Sequence, residues 1–407
     1  MNLGAILASD TQMTRDIYSL CTIAAIAAAV PLLVGLLRLP VAEVVLLLGA
    51  GIVFGPSLLG WIQVSDSISL LSNIGLAFLF FAAGLEIESR AVRGESGRLA
   101  LIGWLAAVVL AASCAFILER RGIIHDFLGV TIALTSTALG TLLPVLRDKG
   151  LLRTKLGTYF LGAGAFGEFG PVLAVSILLS TKSPFFAIIS VLVFTGVALL
   201  FAEIPEKLRS RRIGELLERG HHSSAQTAVR LTVLLLVGLL ASAEFFGLDL
   251  VLGAFVAGII ARHFLPKDED STIMSKLTGL AFGIFIPLFF VISGANLDVN
   301  SILANPLLLL LFFALILFVR GVPQFFIYRK ALPNTRERAR FSLYVATALP
   351  IIVAVTNIEV GDGVMLPSVG AALVGAGALS VLVFPFVAQL LEPRKNDQEE
   401  ARVEATA

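Results

Sequence analysis

The sequence predicts an all-α polytopic membrane protein of about thirteen transmembrane helices, built on an inverted-topology repeat. Three observations carry that prediction. Hydrophobic residues make up 57% of the 407 and charged residues 14%, with a mean hydropathy of +0.94, whereas soluble domains carry roughly 25% charged residues. Apolar runs of the ~20 residues that a membrane-crossing helix needs recur along nearly the whole chain. One short pattern then returns in the second half, where the chain travels in the opposite direction.

The runs fall at about 17–37, 41–60, 68–86, 99–118, 124–146, 156–180, 184–204, 228–245, 247–263, 273–293, 303–327, 339–358 and 364–391. Several are short or interrupted by Gly and Pro, a trait of transporters whose discontinuous helices build the site. With the N-terminus outside, 25 of the 30 Lys and Arg residues fall in cytoplasmic segments and 4 in outer ones, Arg320 lying inside a span. A missed helix would scramble every later loop, so this asymmetry supports both the count and the orientation. The chain is thus expected in the cell (inner) membrane, N-terminus outside and C-terminus cytoplasmic. Asp10, Arg15 and Asp16 leave no positive n-region, so the first helix is expected to stay in the mature protein. Residues 1–391 form the transmembrane part, with a first repeat over about 41–204, a cytoplasmic linker over about 205–227 and a second repeat over about 228–391; 392–407 form a short tail. The linker's Arg209–Arg212 cluster and His221-His222 pair fit a solvated connector.

The repeat rests on two segments. The third run ends Leu79-Phe-Phe-Ala-Ala-Gly84-Leu-Glu86, and the tenth ends Leu288-Phe-Phe-Val-Ile-Ser293-Gly294-Ala-Asn296-Leu-Asp298. Each reads Leu-Phe-Phe, then glycine, then an acid at the membrane exit. They lie seven helices apart, and an odd separation inverts the topology.

Glu168 stands alone at the centre of the apolar stretch Gly157–Ser180. An ionisable group at that depth costs several kcal/mol unless paired, hydrated or neutralised, which marks it as a functional candidate. An apolar setting disfavours the charged form of a carboxyl. Such a group holds a proton or a monovalent cation, but not both, and that competition suffices for exchange. Arg320 is a second charge at depth. It keeps its proton, so it either pairs internally, with Glu168 or another acid, or snorkels to the cytoplasmic surface. Thr135-Ser136-Thr137, followed by Gly140, and Thr347-Ala-Leu-Pro350 mark two more interrupted helices, Pro350 lacking the N–H that a helix interior requires. Their hydroxyls and carbonyls either coordinate a dehydrated cation or simply bond back to their own helix.

Other signals point away from other classes. The Gly162-x-Gly164-x-x-Gly167 run spells a dinucleotide fingerprint, yet no strand precedes it, and it reads as close helix packing. Cys21 and Cys114 sit in apolar runs without metal or disulfide spacing. No basic patch suggests nucleic acid. No Walker loop, His-Glu-x-x-His or Gly-x-Ser-x-Gly occurs, so an enzyme is not expected.

The chain resembles the monovalent cation:proton antiporters of the second type, which include Kef-like potassium efflux systems and bacterial sodium/proton exchangers. The resemblance is carried by Gly51-Ile-Val-Phe-Gly55-Pro56-Ser-Leu-Leu-Gly60, Gly75-Leu-Ala-Phe-Leu-Phe-Phe-Ala-Ala-Gly84-Leu-Glu86 and Leu134-Thr-Ser-Thr-Ala-Leu-Gly140. It continues through Leu146-Arg-Asp-Lys-Gly150, Leu252-Gly-Ala-Phe-Val-Ala-Gly258 and Pro287-Leu-Phe-Phe-Val-Ile-Ser-Gly-Ala-Asn-Leu-Asp298. It implies the sodium/proton antiporter fold, in which the fifth and twelfth helices unwind and cross near the ion-binding acid. It also implies a homodimer in the lipid bilayer and an elevator-like movement. Glu168 falls at the family's essential aspartate and would bind the proton or metal cation. Thr135, Ser136 and Thr137 match one unwound segment, Thr347 and Pro350 lie on the other, and Arg320 matches an embedded basic residue that compensates charge. Relatives usually carry two polar or acidic residues where this chain has Gly167-Glu168, a departure that bears on which cation is accepted. The tail is too short for the nucleotide-binding domain of the potassium-efflux relatives, and no cofactor is implied.

The expected function is exchange of Na⁺ or K⁺ for a proton, electroneutral if Arg320 keeps its charge. A channel-like cation pathway, a sodium-coupled solute symporter and a transport-inactive sensor or scaffold remain open from sequence.

Overall fold

The computed structural model describes residues 3–37, 42–86, 94–179, 189–196, 227–264 and 272–392, and their regular structure is helical. The predicted linker with Arg209–Arg212 and His221-His222, and the tail beyond residue 392, lie outside the described residues. Among the described residues nine helices are long and apolar enough to cross a membrane, and shorter apolar helices cover Glu43–Phe54, Phe127–Leu143 and Leu250–His263. A helical stretch over 189–196 falls within the run predicted at 184–204.

In chain order the helices are α1 (Leu3–Leu37), α2 (Glu43–Phe54), α3 (Asp66–Glu86), α4 (Gly94–Arg120), α5 (Phe127–Leu134), α6 (Leu139–Asp148) and α7 (Lys155–Leu178). Then come α8 (Thr227–Phe246), α9 (Leu250–Phe264), α10 (Thr272–Leu280) and α11 (Ile286–Ala295), the last two joined by a π-helical turn at Ala281–Phe285. They are followed by α12 (Val299–Ala304), α13 (Pro306–Ile316), α14 (Val322–Ile327), α15 (Thr335–Ala346), α16 (Pro350–Gly361) and α17 (Pro367–Leu390). The runs predicted at 124–146 and 339–358 are therefore each two half-helices. The run at 303–327 starts anew at Pro306 and carries a π-helical turn, Leu317–Gly321.

Two compact units divide the chain, one from residues 1–87 and 172–300, the other from 88–171 and 301–407. In the first, the repeated pattern becomes a pair of reciprocal contacts. Gly84 of α3 lies against Gly258 and the Phe255 carbonyl of α9, and Gly258 in turn lies against the Phe81 carbonyl. Gly294 of α11 lies against Gly51 and the Leu48 carbonyl of α2, and Gly51 against the Val291 carbonyl. Each helix bearing Leu-Phe-Phe followed by glycine thus meets a glycine helix from the opposite half of the chain. Lipid supplies no hydrophobic drive between helices, so close backbone approach at glycine is the device that holds them.

The second unit is organised around its two broken helices. Its buried core joins Leu139, Leu142 and Leu146 of α6, Phe160 of α7, Tyr328, and Phe341 and Tyr344 of α15. Asp126 starts α5 by accepting a bond from the Gly129 N–H (2.7 Å). Asn334 starts α15 by accepting from the Arg336 and Glu337 N–H groups (2.9 and 3.4 Å). These caps satisfy donors that a helix start leaves unpaired.

The reciprocal contacts give a direct test of the packing. Gly84→Ala or Gly294→Ala is expected to cost about 1–3 kcal/mol through overpacking, seen as a lower melting temperature in detergent. Gly238→Ala, whose Cβ would meet nothing within 4 Å, is expected to be neutral or slightly stabilising, because alanine favours helix by up to ~1 kcal/mol.

Candidate ion-binding site at the helix crossing

The two broken helices cross in the second unit, and the crossing is made by backbone as well as side chains. Ala138 N–H donates to the Thr347 carbonyl (2.7 Å), and Thr137 N–H donates to the Gly167 carbonyl of α7 (3.0 Å). Each break has its own local cause. In the first, Thr135 and Ser136 hydroxyls donate to the Ile132 and Ala133 carbonyls (2.8 Å each), closing off α5 at its C-terminus. Side chains that compete for backbone groups in this way favour helix ends over interiors. In the second, Pro350 drives the residue before it from helical geometry, and Leu349 stands at φ −149° and ψ −54°. Pro350 then opens α16, where its missing N–H is no loss.

Four half-helix ends therefore meet: the carbonyl ends of α5 and α15 and the N–H ends of α6 and α16. Glu168 Oε1 accepts from the first N–H groups of α6, at Leu139 (2.9 Å) and Gly140 (3.2 Å). A helix N-terminus suits an acid, through both its unpaired donors and its dipole. The residue is buried, 4% exposed. Both bonds need only a lone pair on Oε1, which a carboxylate and a protonated carboxyl both supply. The group is thus held in place whichever form it takes.

Arg320 is 0% exposed, which rules out the snorkelling arrangement left open by the sequence. It sits on the π-helical turn, Leu317–Gly321, a distortion common at functional positions. Its Nε donates to Thr137 Oγ1 (2.9 Å) and its Nη2 to the Ala163 carbonyl (3.0 Å). Thr137 Oγ1 passes the contact on, donating to the Val345 carbonyl near the C-terminal end of α15 (2.8 Å). A cation at the carbonyl end of a broken helix mirrors the acid at the N–H end of the other.

The candidate side chains are not equivalent. Glu168, Thr137 and Arg320 converge: Gly167 precedes Glu168, and a Cβ there would strike both Arg320 Nη2 and Thr137. The space beside Gly167 is thus filled by the guanidinium itself. Thr135 and Ser136 bond back to their own helix, as does Thr347, whose Oγ1 donates to the Leu343 carbonyl (3.1 Å). The neighbouring glycines are equally confined. Gly164 faces Leu139 and Gly170 faces the Trp104 ring, so the apparent dinucleotide fingerprint is helix packing.

Three residues at the crossing were not singled out from sequence. Ser380 of α17 accepts from the Ala348 N–H (3.0 Å) and stands 2.9 Å from the Ala348 carbonyl, bracing the second unwound segment. Gln324 lies one turn beyond Arg320, is fully buried and faces Gly103 of α4. Trp104 packs on Gly170. Spacing of four from Arg320 was the available signal for Gln324; nothing in the sequence marks Ser380 or Trp104.

Comparison with known proteins agrees with this architecture. The family model described as sodium/hydrogen exchanger, transmembrane, matches residues 22–391. The chain is 24% identical to the putative Na⁺/H⁺ antiporter YjbQ of Bacillus subtilis across 95% of its length. It is 29% identical to the Na⁺/H⁺-K⁺ antiporter GerN of Bacillus cereus across 62%. It is 26% identical to the glutathione-regulated potassium-efflux system protein KefC of Escherichia coli across 90%. The chain spans 65%, 64% and 59% of those proteins' own lengths. The sodium proton antiporter MjNhaP1 of Methanocaldococcus jannaschii shares the fold, with a TM-score of 0.67 over 93% of this chain and 98% of that one, at 18% identity. With the match extending over nearly all of its membrane helices, the chain belongs to the sodium/hydrogen exchanger family.

Proposed function

We propose that the chain exchanges a monovalent cation, Na⁺ or K⁺, for a proton, with Glu168 as the carrier of either passenger. The observation that carries this reading is the placement of Glu168. A single buried carboxyl is held by two N–H groups of a broken helix, and an equally buried Arg320 occupies the space beside Gly167. The relatives named as Na⁺/H⁺ and K⁺ antiporters support the same substrates.

The chemistry is competition for one negative charge. Protonated Glu168 is neutral, and so is its carboxylate with one monovalent cation. With Arg320 charged throughout, the site has the same net charge in both loaded forms. Each charge carried across feels about 2.3 kcal/mol per 100 mV, and because both loaded forms carry the same charge, the two opposite crossings cancel over the cycle. The exchange is electroneutral and driven by the ion gradients. Thr137 keeps Arg320 oriented, and the hydroxyls of Thr135 and Ser136 and the carbonyls of the Thr347–Pro350 break line the cation's approach. The protein works in the cell membrane with its N-terminus outside, as the distribution of basic residues supports, and as a homodimer, as the family resemblance supports.

Two experiments test the reading. Glu168→Gln protein in liposomes is expected to lose cation-dependent dissipation of an imposed pH gradient, down to the rate of empty liposomes. Exchange persisting in that variant would remove Glu168 as the carrier. Gly167→Ala is expected to push the guanidinium off Thr137 and Ala163, slowing exchange several-fold and lowering the melting temperature. Gly361→Ala, placed where a Cβ meets nothing within 4 Å, is expected to transport normally.

A further inference from the structure

A second acidic pair lies in the same unit, away from the crossing. Asp126 caps the start of α5 and Glu359 stands in the last turn of α16, and both are buried, 4% and 5% exposed. α5 runs from Phe127 to Leu134, so at 1.5 Å per residue Asp126 lies about 12 Å from the unwound segment. Asp126 Oδ1 is taken by the Gly129 N–H (2.7 Å). The backbone comes close here because residue 129 is glycine: a Cβ would meet the Asp126 carboxyl and, at 3.0 Å, Glu359 Cγ. No N–H or hydroxyl reaches the buried Asp126 Oδ2. The side chain that Gly129 admits beside it is Glu359, the other buried carboxyl.

Two ionised carboxyls offer only acceptors. A bond between two such neighbours therefore needs a hydrogen, and buried like charges side by side cannot both stay ionised. The surroundings strengthen that demand. Glu119 near the end of α4 and Asp362 at the end of α16 add two more acids to the neighbourhood. The basic groups nearby are turned elsewhere or exposed: Arg120 lies over the Phe116 ring, 5.1 Å from its centre, and Arg121 and His125 are exposed. α17, which packs on α16, has no charged residue between Pro367 and Leu390.

We propose that Asp126 and Glu359 share one proton and form a second protonatable site, which ties the start of the first broken helix to the end of the second. Loss of that proton converts one carboxyl–carboxylate pair into two facing carboxylates, and the bond between the helix ends becomes a repulsion. With the N-terminus outside, this site faces the outer side and responds to pH there. It does not depend on Glu168 being the carrier.

The test removes Glu168 first. In Glu168→Gln protein the melting temperature is followed from about pH 5 to about pH 9, the range in which a tightly held carboxyl proton leaves. The folded pair holds its proton more tightly than separated carboxyls do in the unfolded chain, so stability falls as pH rises. A drop of several degrees is expected in this parent. Adding Glu359→Gln or Asp126→Asn is expected to flatten the profile, because the amide donates the bond at every pH. Infrared difference spectra are expected to show one protonated carboxyl in the parent that Glu359→Gln removes. A flat parent profile would overturn the proposal, as would a slope surviving in both amide variants or following Na⁺ or K⁺ at fixed pH. Failure of both amide variants to fold would also overturn it, since an amide replaces a protonated carboxyl but not a carboxylate.

Discussion

Backbone polarity in oil is the constraint on which the rest of this structure depends. In a bilayer every N–H and C=O must find a partner within the protein, so an interrupted helix is tolerated only where something answers its exposed ends. Here the two interruptions answer each other. Ala138 N–H meets the Thr347 carbonyl and the Thr137 hydroxyl meets the Val345 carbonyl, while Ser380 holds Ala348 from a third helix. The same unanswered ends that would be a liability in lipid create a place where ions are at home. Donors converge on Glu168 and carbonyls stand near Arg320.

Charge placement follows from that geometry. The acid occupies the N–H end of α6, and the guanidinium is linked through Thr137 to the carbonyl end of α15. Each group lies where the half-helix dipole favours it. Gly167 makes the arrangement possible, because its missing side chain leaves room for Arg320 Nη2 beside Glu168. The guanidinium reaches that space from the π-helical turn between α13 and α14.

Glycine does comparable work in the other unit, where Gly84 with Gly258 and Gly51 with Gly294 bring backbones together. There the repeat shows as two equivalent contacts exchanged between the halves of the chain. The recurrence of Leu-Phe-Phe followed by glycine was visible as text, but its partners were not. Gly51 and Gly258 lie far from the motif in sequence, and only folding reveals which backbone a glycine admits. The positions of the breaks were partly legible. Pro350 announces one through its fixed chemistry, and Thr135-Ser136-Thr137 indicates the other through hydroxyls that compete for carbonyls.

The amino-acid sequence by itself determined the membrane class and the all-helical architecture, and it marked Glu168 and Arg320 as charges within apolar runs. Those follow from hydropathy and from the energetic penalty of charge at depth, both local properties of the chain. Only the tertiary structure decided that Arg320 turns inward to Thr137 and Ala163, that Ser380 braces an unwound segment, and that Asp126 meets Glu359. Glu359 falls one residue past the apolar run predicted at 339–358, where an acid reads as an ordinary loop residue. Its burial comes from α5 and α17 closing over it. Partners separated by hundreds of residues leave no trace in local composition, because a hydrogen bond depends on position in space and not on order along the chain.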